Sequence, residues 1–301
     1  MPIARAAVAD VPGSLPRRGF LAAMALSLPG CMSMRGWMRS DPMAGQPCVL
    51  PPDATKEQIV EHLNLNVSRT HGWRSTSVGI KMNGWPSAQG DLAVQQGHRF
   101  RLRVTSLPGL MLDMGSNEEL FWFWARDAQQ PGVLYARHED AGMASRQLNM
   151  PFEPQWLMQA FGVLPYHADL MQMREGLTTG TAQLESNHTL DNGWQVRRIV
   201  VVDRCRGYVR EHTLWDGSPR GQIIASAVLS KHFTDPQSGV VLPRRIDLSS
   251  PQSGDSVSLD LGNVMVNPPP ADERLWQMPD MPNAPSINIG RSSRVSLDDV
   301  P

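Results

Sequence analysis

Lysine is almost missing from this chain of 301 residues; it occurs only at 56, 81 and 231, and arginine carries nearly all of the positive charge. The formal net charge is -1 at pH 7, and no basic stripe with interleaved aromatics breaks that balance. A nucleic-acid partner is therefore not expected. Cysteine is scarce too: Cys31, Cys48 and Cys205, with no Cys-x-x-Cys and no cysteine–histidine cluster, which argues against a structural zinc site. The eight histidines are scattered, without His-x-His or His-Glu-x-x-His spacing. Neither a Gly-x-Ser-x-Gly elbow nor a phosphate-binding glycine loop nor Gly-x-Gly-x-x-Gly is present. The expectation is no catalytic residues, no metal, no cofactor and no enzymatic activity. The cluster Arg137-His138-Glu139-Asp140 and Ser116 are the nearest approach to a hydrolytic site, and a polar group of that kind at a strand end is usually a turn. Internal repeats are also lacking.

Long apolar runs are missing as well, and this shapes the reading of the N-terminus. Arg17-Arg18 is followed by an apolar stretch to Leu28 and then by Pro29-Gly30-Cys31. A charged start, a short apolar core and a small residue at a cut site make an export signal. The core is shorter than the roughly 20 residues a bilayer-spanning helix needs. Leu28, Gly30 and Cys31 resemble the lipobox of bacterial lipoproteins, with Pro29 where Ala, Ser or Thr is commoner. That resemblance implies acylation of the Cys31 thiol, palmitate among the chains, and cleavage before it. Two or more acyl chains hold a protein on a membrane for long times. Arg17-Arg18-Gly19-Phe20-Leu21 is also similar to the twin-arginine export signal. Residues 31–52, rich in Gly and Pro, read as a tether. In an exported protein Cys48 and Cys205 have the option of pairing, which the sequence leaves open.

The folded part spans 53–282. Thr55 to Gln58 fits a capping box, and Ile59, Val60, Leu63 and Val67 recur at helical spacing behind it. Strands then dominate: 73–82, 89–94, 99–105, 111–114, 118–124 and 133–138. A short helix at 155–161 precedes strands at 170–174, 180–185, 194–203, 208–215, 222–233, 240–248 and 256–266. Turn pairs such as Asn83-Gly84 and Asp216-Gly217 separate them. In 99–105 Phe100, Leu102 and Val104 alternate with Arg99, Arg101 and Arg103, which gives one apolar face and one solvated arginine face. Phe121-Trp122-Phe123-Trp124 is aromatic on both faces, as a covered central strand would be. Residues 283–301 read as a polar, disordered tail.

The stretch Arg99-Phe100-Arg101-Leu102-Arg103-Val104-Thr105, followed by Gly115 to Trp124, resembles the lipoprotein-localisation carriers and receptors LolA and LolB and their LppX-like relatives. Val264 to Pro268 and Leu275-Trp276-Gln277-Met278-Pro279 are similar to that family's closing strand and terminal segment. Gln96-Gly97 stand where the carriers have an arginine before a proline. The resemblance implies a mainly β (α+β) fold: one large curved antiparallel sheet, a half-open barrel, with helices capping its concave face. It further implies an apolar cavity for an acyl chain or lipidated peptide. Phe100, Leu102, Val104, Phe121 and Phe123 would line it, and the Leu107 to Leu110 turn would meet the membrane. By resemblance the protein is a monomer anchored through its N-terminal lipid, in the cell envelope at the outer membrane facing the periplasm. It would work there in lipoprotein or lipid trafficking. The alternatives are an interaction lipoprotein without a small ligand, and a periplasmic hydrolase.

Overall fold

The computed structural model describes residues 47–84, 86–107, 109–126, 131–141, 144, 154–189, 195–218, 221–281 and 284–290. Cys31, the expected export signal and the expected tether as far as residue 46 lie outside the described residues. Thr55 starts the first helix, α1 (Lys56–Ser68). Its amide donates to the Gln58 side chain at 2.9 Å, and its hydroxyl accepts from the Gln58 amide at 3.4 Å. This reciprocal box satisfies donors that a helix start leaves open. Ile59, Val60, Leu63 and Val67 then form the buried face.

A meander follows: β1 (Gly72–Met82), β2 (Ala88–Gln95), β3 (Arg99–Ser106), β4 (Gly109–Ser116), β5 (Leu120–Ala125) and β6 (Val133–Arg137). A 3-10 turn at His138–Asp140 and the helix α2 (Pro154–Ala160) separate it from a second run. That run comprises β7 (Gln172–Glu175), β8 (Thr181–Thr189), β9 (Gln195–Asp203), β10 (Val209–Asp216) and β11 (Ile223–Ser230). The small hairpin β12 (Phe233–Thr234) and β13 (Val241–Leu242) leads to β14 (Arg245–Ser250), β15 (Asp255–Leu261), β16 (Val264–Val266) and β17 (Ser286–Asn288).

Fifteen of these strands make one sheet in the order β17-β6-β5-β4-β3-β2-β1-β15-β14-β11-β10-β9-β8-β7, with β16 also on β1. All neighbours are antiparallel except β17, which lies parallel on β6. The sheet is not closed. It is nevertheless rolled: laid flat, β3 and β10 would be about 30 Å apart at the usual spacing between strands. The Phe161 ring, just beyond α2, sits 6.1 Å from Phe100 of β3 and 5.8 Å from Trp73 of β1. Its neighbours Ala160 and Gly162 share a cavity of about 60 Å³ with His212 of β10 and Leu229 of β11. The two halves of the sheet thus wrap around α2. Register shifts at Ser75/Val78, Val104/Thr105 and Leu214/Trp215 are bulges of the kind that sharpen twist. The expected mainly β fold, a half-open curved sheet with helices on its inner face, is the fold observed.

The inner face is filled from one end. Trp156, Leu157, Met158, Ala160 and Phe161 join the main core with Trp73, Phe100, Leu102, Val104 and residues of β11, β14 and β15. The helix α1 lies over β8 and β9, on Ala182, Leu184, Val200 and Val202. A close approach fixes its position: a Cβ on Gly207, whose φ is +64°, would meet the His62 ring of α1 at 2.4 Å.

Three details differ from the sequence reading. The strand expected over 222–233 breaks at Lys231, a non-glycine residue at φ 56°. There the chain leaves the sheet to form the β12–β13 hairpin, whose Val241 exchanges two hydrogen bonds with Asn66 of α1 at 3.0 and 2.7 Å. The strands expected over 240–248 and 256–266 are likewise divided. Within the expected tail, Ser286–Asn288 forms β17, paired with Val133, Leu134 and Tyr135.

Cys48 and Cys205 are joined in a disulfide across 157 positions of sequence. The Val49 amide donates to the Cys205 carbonyl at 2.8 Å, so the start of the folded chain is clipped to the turn after β9. Cross-linking a loop of this length removes unfolded-state entropy worth up to about 5 kcal/mol. The double variant Cys48→Ala/Cys205→Ala is expected to lose about 2–5 kcal/mol of stability in urea titration. A loss below about 0.5 kcal/mol would show that the bridge constrains nothing.

Candidate functional site

The alternation in β3 places Phe100, Leu102 and Val104 on the inner face and Arg99, Arg101 and Arg103 on the outer one. Phe121 of β5 packs inward with Leu134, Ala136, Ala141, Ala144 and Ile289, and Phe123 packs against that cluster, partly buried. The topology puts the turns β1–β2, β3–β4, β5–β6, β8–β9, β10–β11 and β14–β15 at one end of the rolled sheet. At this turn end the inward apolar residues Met82, Leu112, Met114, Phe123 and Val257 are only partly buried. At the opposite end α1, α2 and the β12–β13 hairpin cover the interior. Among the described residues the result is an apolar inner face covered at the helix end, with only partly buried apolar side chains toward the turn end.

Among the residues expected to line the cavity, Phe123 is the one that is only partly buried. Phe100 (4% exposed), Leu102, Val104 and Phe121 lie on the same inner face but are buried. Leu107 is fully exposed at the tip of the β3–β4 turn, and Leu110 is partly buried behind it.

A hydrolase is one of the alternative expectations, and two of the residues named for it, Ser116 and His138, come together: Ser116 Oγ lies 3.3 Å from His138 Nε2. However, the same Nε2 is 2.7 Å from the Asn117 carbonyl, which only accepts. Nε2 therefore carries the proton and donates it there, which leaves it unable to take the proton of Ser116. Ser116 is itself fully buried. Burial, together with the charge of His98, whose tilted ring lies 4.6 Å away, holds the His138 pKa below the usual imidazole range. This arrangement ties β4 to the turn after β6 and offers no nucleophile.

The outer face corrects the solvated arginine ladder. Asp113 of β4, 1% exposed, accepts from Arg101 Nε at 3.1 Å and Nη2 at 2.8 Å, and from the Trp122 indole at 3.1 Å. Arg99 pairs with Glu118, and with Glu273 at 3.0 Å. Only Arg103 is half exposed, 3.7 Å from Asp113. A strap formed by residues 267–276 crosses this face, and Arg101 donates to its Leu275 carbonyl at 3.0 Å. The sequence reading missed Asp113, and also the buried pair Tyr166 and His212 beneath α1, whose Oη and Nε2 are 3.2 Å apart. For Asp113 a signal existed: it stands on the outward parity of β4, facing the arginines.

These features define a class: an open, largely antiparallel half-barrel with an apolar inner face and, among the described residues, two covering helices. No model of a protein family matches the chain, and no curated protein matches it in sequence. Among solved structures it is similar in fold to a domain described as an outer-membrane lipoprotein-sorting protein from Vibrio parahaemolyticus. The TM-score is 0.50 at 10% identity, over 73% of this chain and 97% of that one. A LolA superfamily protein from Nitrosomonas europaea matches at TM-score 0.46 and 12% identity, over 75% and 98%. A DUF1329 family protein from Desulfovibrio piger matches at 0.47 and 10%, over 73% and 95%. The likeness of fold expected from Arg99 to Trp124 is thus present in three dimensions.

Proposed function

We propose that this chain is an envelope lipoprotein, anchored through Cys31, that takes an acyl chain or the lipid of a lipidated peptide into its apolar trough, in lipid or lipoprotein trafficking at the outer membrane. The observation that carries the reading is the set of apolar side chains Met82, Leu112, Met114, Phe123 and Val257 on the inner face, which among the described residues are only partly buried. Contiguous apolar surface left open to solvent is a feature of ligand grooves. Ligand would first meet Phe123 and then Phe121. Contact with Phe100, Leu102 and Val104 requires α2 to shift. Leu107 and Leu110 supply the surface that meets the membrane. The disulfide fits an oxidising compartment such as the periplasm.

N-phenyl-1-naphthylamine, an uncharged apolar probe, tests the trough. Phe123→Glu is expected to weaken its binding at least ~10-fold, about 1.4 kcal/mol, with the melting temperature little changed because Phe123 is partly exposed. Unchanged uptake by a folded variant would remove the trough as the site. Such a result would leave the interaction-lipoprotein reading, which the filled helix end favours. Anchoring has its own test: Cys31→Ala should release the chain from sedimented membranes, and continued tight sedimentation would sink the lipobox.

A further inference from the structure

A second site lies on the opposite face of the sheet. The strap that corrects the arginine ladder is pinned at both ends. At its start the Asn267 side chain accepts from the His71 amide at 2.7 Å and donates to the Arg69 carbonyl at 2.8 Å, while the residue takes a left-handed φ of 48°. At its end the Trp276 carbonyl accepts from Asn117 at 3.0 Å, and the Trp276 side chain is buried. Between these pins run Pro268, Pro269 and Pro270. Three consecutive prolines have fixed φ and no amide donor, so they neither pair with β16 nor collapse onto the strands. They arch over them.

Beneath the arch is a pocket of about 530 Å³. That is within the size range of small-molecule sites. Its floor is Ala93 and Gln95 of β2 and Arg74 of β1, and one wall is Met265 of β16. The charge of the lining is one-sided, because no Asp or Glu contributes to it. The two acids on the strap are engaged elsewhere, Asp272 with Arg274 at 2.7 Å and Glu273 with Arg99 at 3.0 Å. Among the described residues Arg74 makes no side-chain hydrogen bond or ion pair. An exposed guanidinium left without an acid in the lining of a proline-walled pocket is complementary to one anionic group, and the apolar walls are complementary to the body that carries it.

We propose that this pocket binds an anionic amphiphile, with a carboxylate, sulfonate or phosphate against Arg74 and an apolar body against Met265 and the proline arch. The site is separate from the trough, on the other side of the strands, and does not depend on the trough binding anything.

The test uses the full chain with 8-anilinonaphthalene-1-sulfonate as probe and methionine-methyl NMR as readout, the Met265 signal being assigned by its loss in Met265→Leu. The probe is expected to shift the Met265 methyl. Arg74→Gln, a change at an exposed residue without partners, is expected to weaken that titration at least tenfold. The uncharged N-phenyl-1-naphthylamine should not shift Met265 at the same concentration. Decanoate should displace the sulfonate probe and inorganic phosphate should not. An unmoved Met265 methyl, or an unchanged titration in Arg74→Gln, would overturn the site. Displacement by inorganic phosphate alone would overturn the amphiphile class, since the apolar walls would then contribute nothing. Phe123→Glu should leave this titration as it is, so failure of the trough and failure of the pocket are read separately.

Discussion

Replacing Asp113 by Ala is expected to destabilise the chain by about 3–5 kcal/mol in urea titration, a large effect for a single residue on the outer face of a sheet. The reason is what the substitution leaves behind. The Arg101 side chain is only 11% exposed and the Asp113 side chain 1%. With the carboxylate gone, a mostly dehydrated guanidinium faces no anion, and the Trp122 indole loses its acceptor. Neither group can turn to water, because the strap covers the first and the second is 1% exposed. The site also has no room to adjust: a Cβ on Gly115, opposite Trp122, would meet that ring at 2.4 Å. Asp113→Asn keeps the shape and one acceptor, so it should cost roughly half as much. A loss below about 1 kcal/mol for Asp113→Ala would mean that the pair behaves like a surface ion pair and that the strap is not closed over it.

Much of the architecture was legible because local signals and the global fold agree. The capping box at Thr55 and the helical spacing of Ile59, Leu63 and Val67 need no tertiary context, and α1 starts where they indicate. Alternation in 99–105 assigned the faces of β3 correctly. What covers each face was not legible. Arg101 reads as solvated until residues 274 and 275, far along the chain, are laid across it. The broken strands have the same origin. Val240 and Leu242 are apolar enough to continue a strand, but the core inside the rolled sheet and the helix α1 take them into a separate hairpin. The resemblance and the alternation of side chains together point to the residues of the inner face, and alternation tells inward from outward. It does not tell which inward residues lie under α2 and which, like Phe123, stay partly exposed. Cys48 and Cys205 had a single pairing to offer, yet only the fold brings their Cα atoms within 4.4 Å.

The second large effect is on stability in acid. His212 of β10 is 1% exposed, and its Nε2 meets the hydroxyl of buried Tyr166. Burial, aided by the nearby Arg198 cation, lowers its pKa from 6.5 to about 3. The folded chain therefore keeps His212 neutral down to about pH 3, while the unfolded chain protonates it near 6.5. Between these values the unfolded state holds one more proton, so stability falls as pH falls, by about 1.4 kcal/mol per pH unit. Above pH 6.5 this residue contributes no pH dependence. His62 of α1, which shares the small cavity with His212, is also held low by burial and by Arg69, and acts in the same direction. The loss between pH 7 and 4.5 should exceed 2 kcal/mol, roughly, from His212 alone. His212→Gln removes the titration and keeps an amide to meet Tyr166. It should be less stable than the parent at pH 7.5, with a visibly flatter decline below pH 6.5 in urea midpoints. A variant whose decline runs parallel to the parent's would show that carboxylates elsewhere, and not this buried imidazole, set the acid limit. The location gives the result its meaning, because the cavity containing His62 and His212 lies where α1, α2 and the β12–β13 hairpin cover the inner face. Acid strain is thereby placed on elements that include α2, which under the proposed binding would have to shift before a ligand reached Phe100.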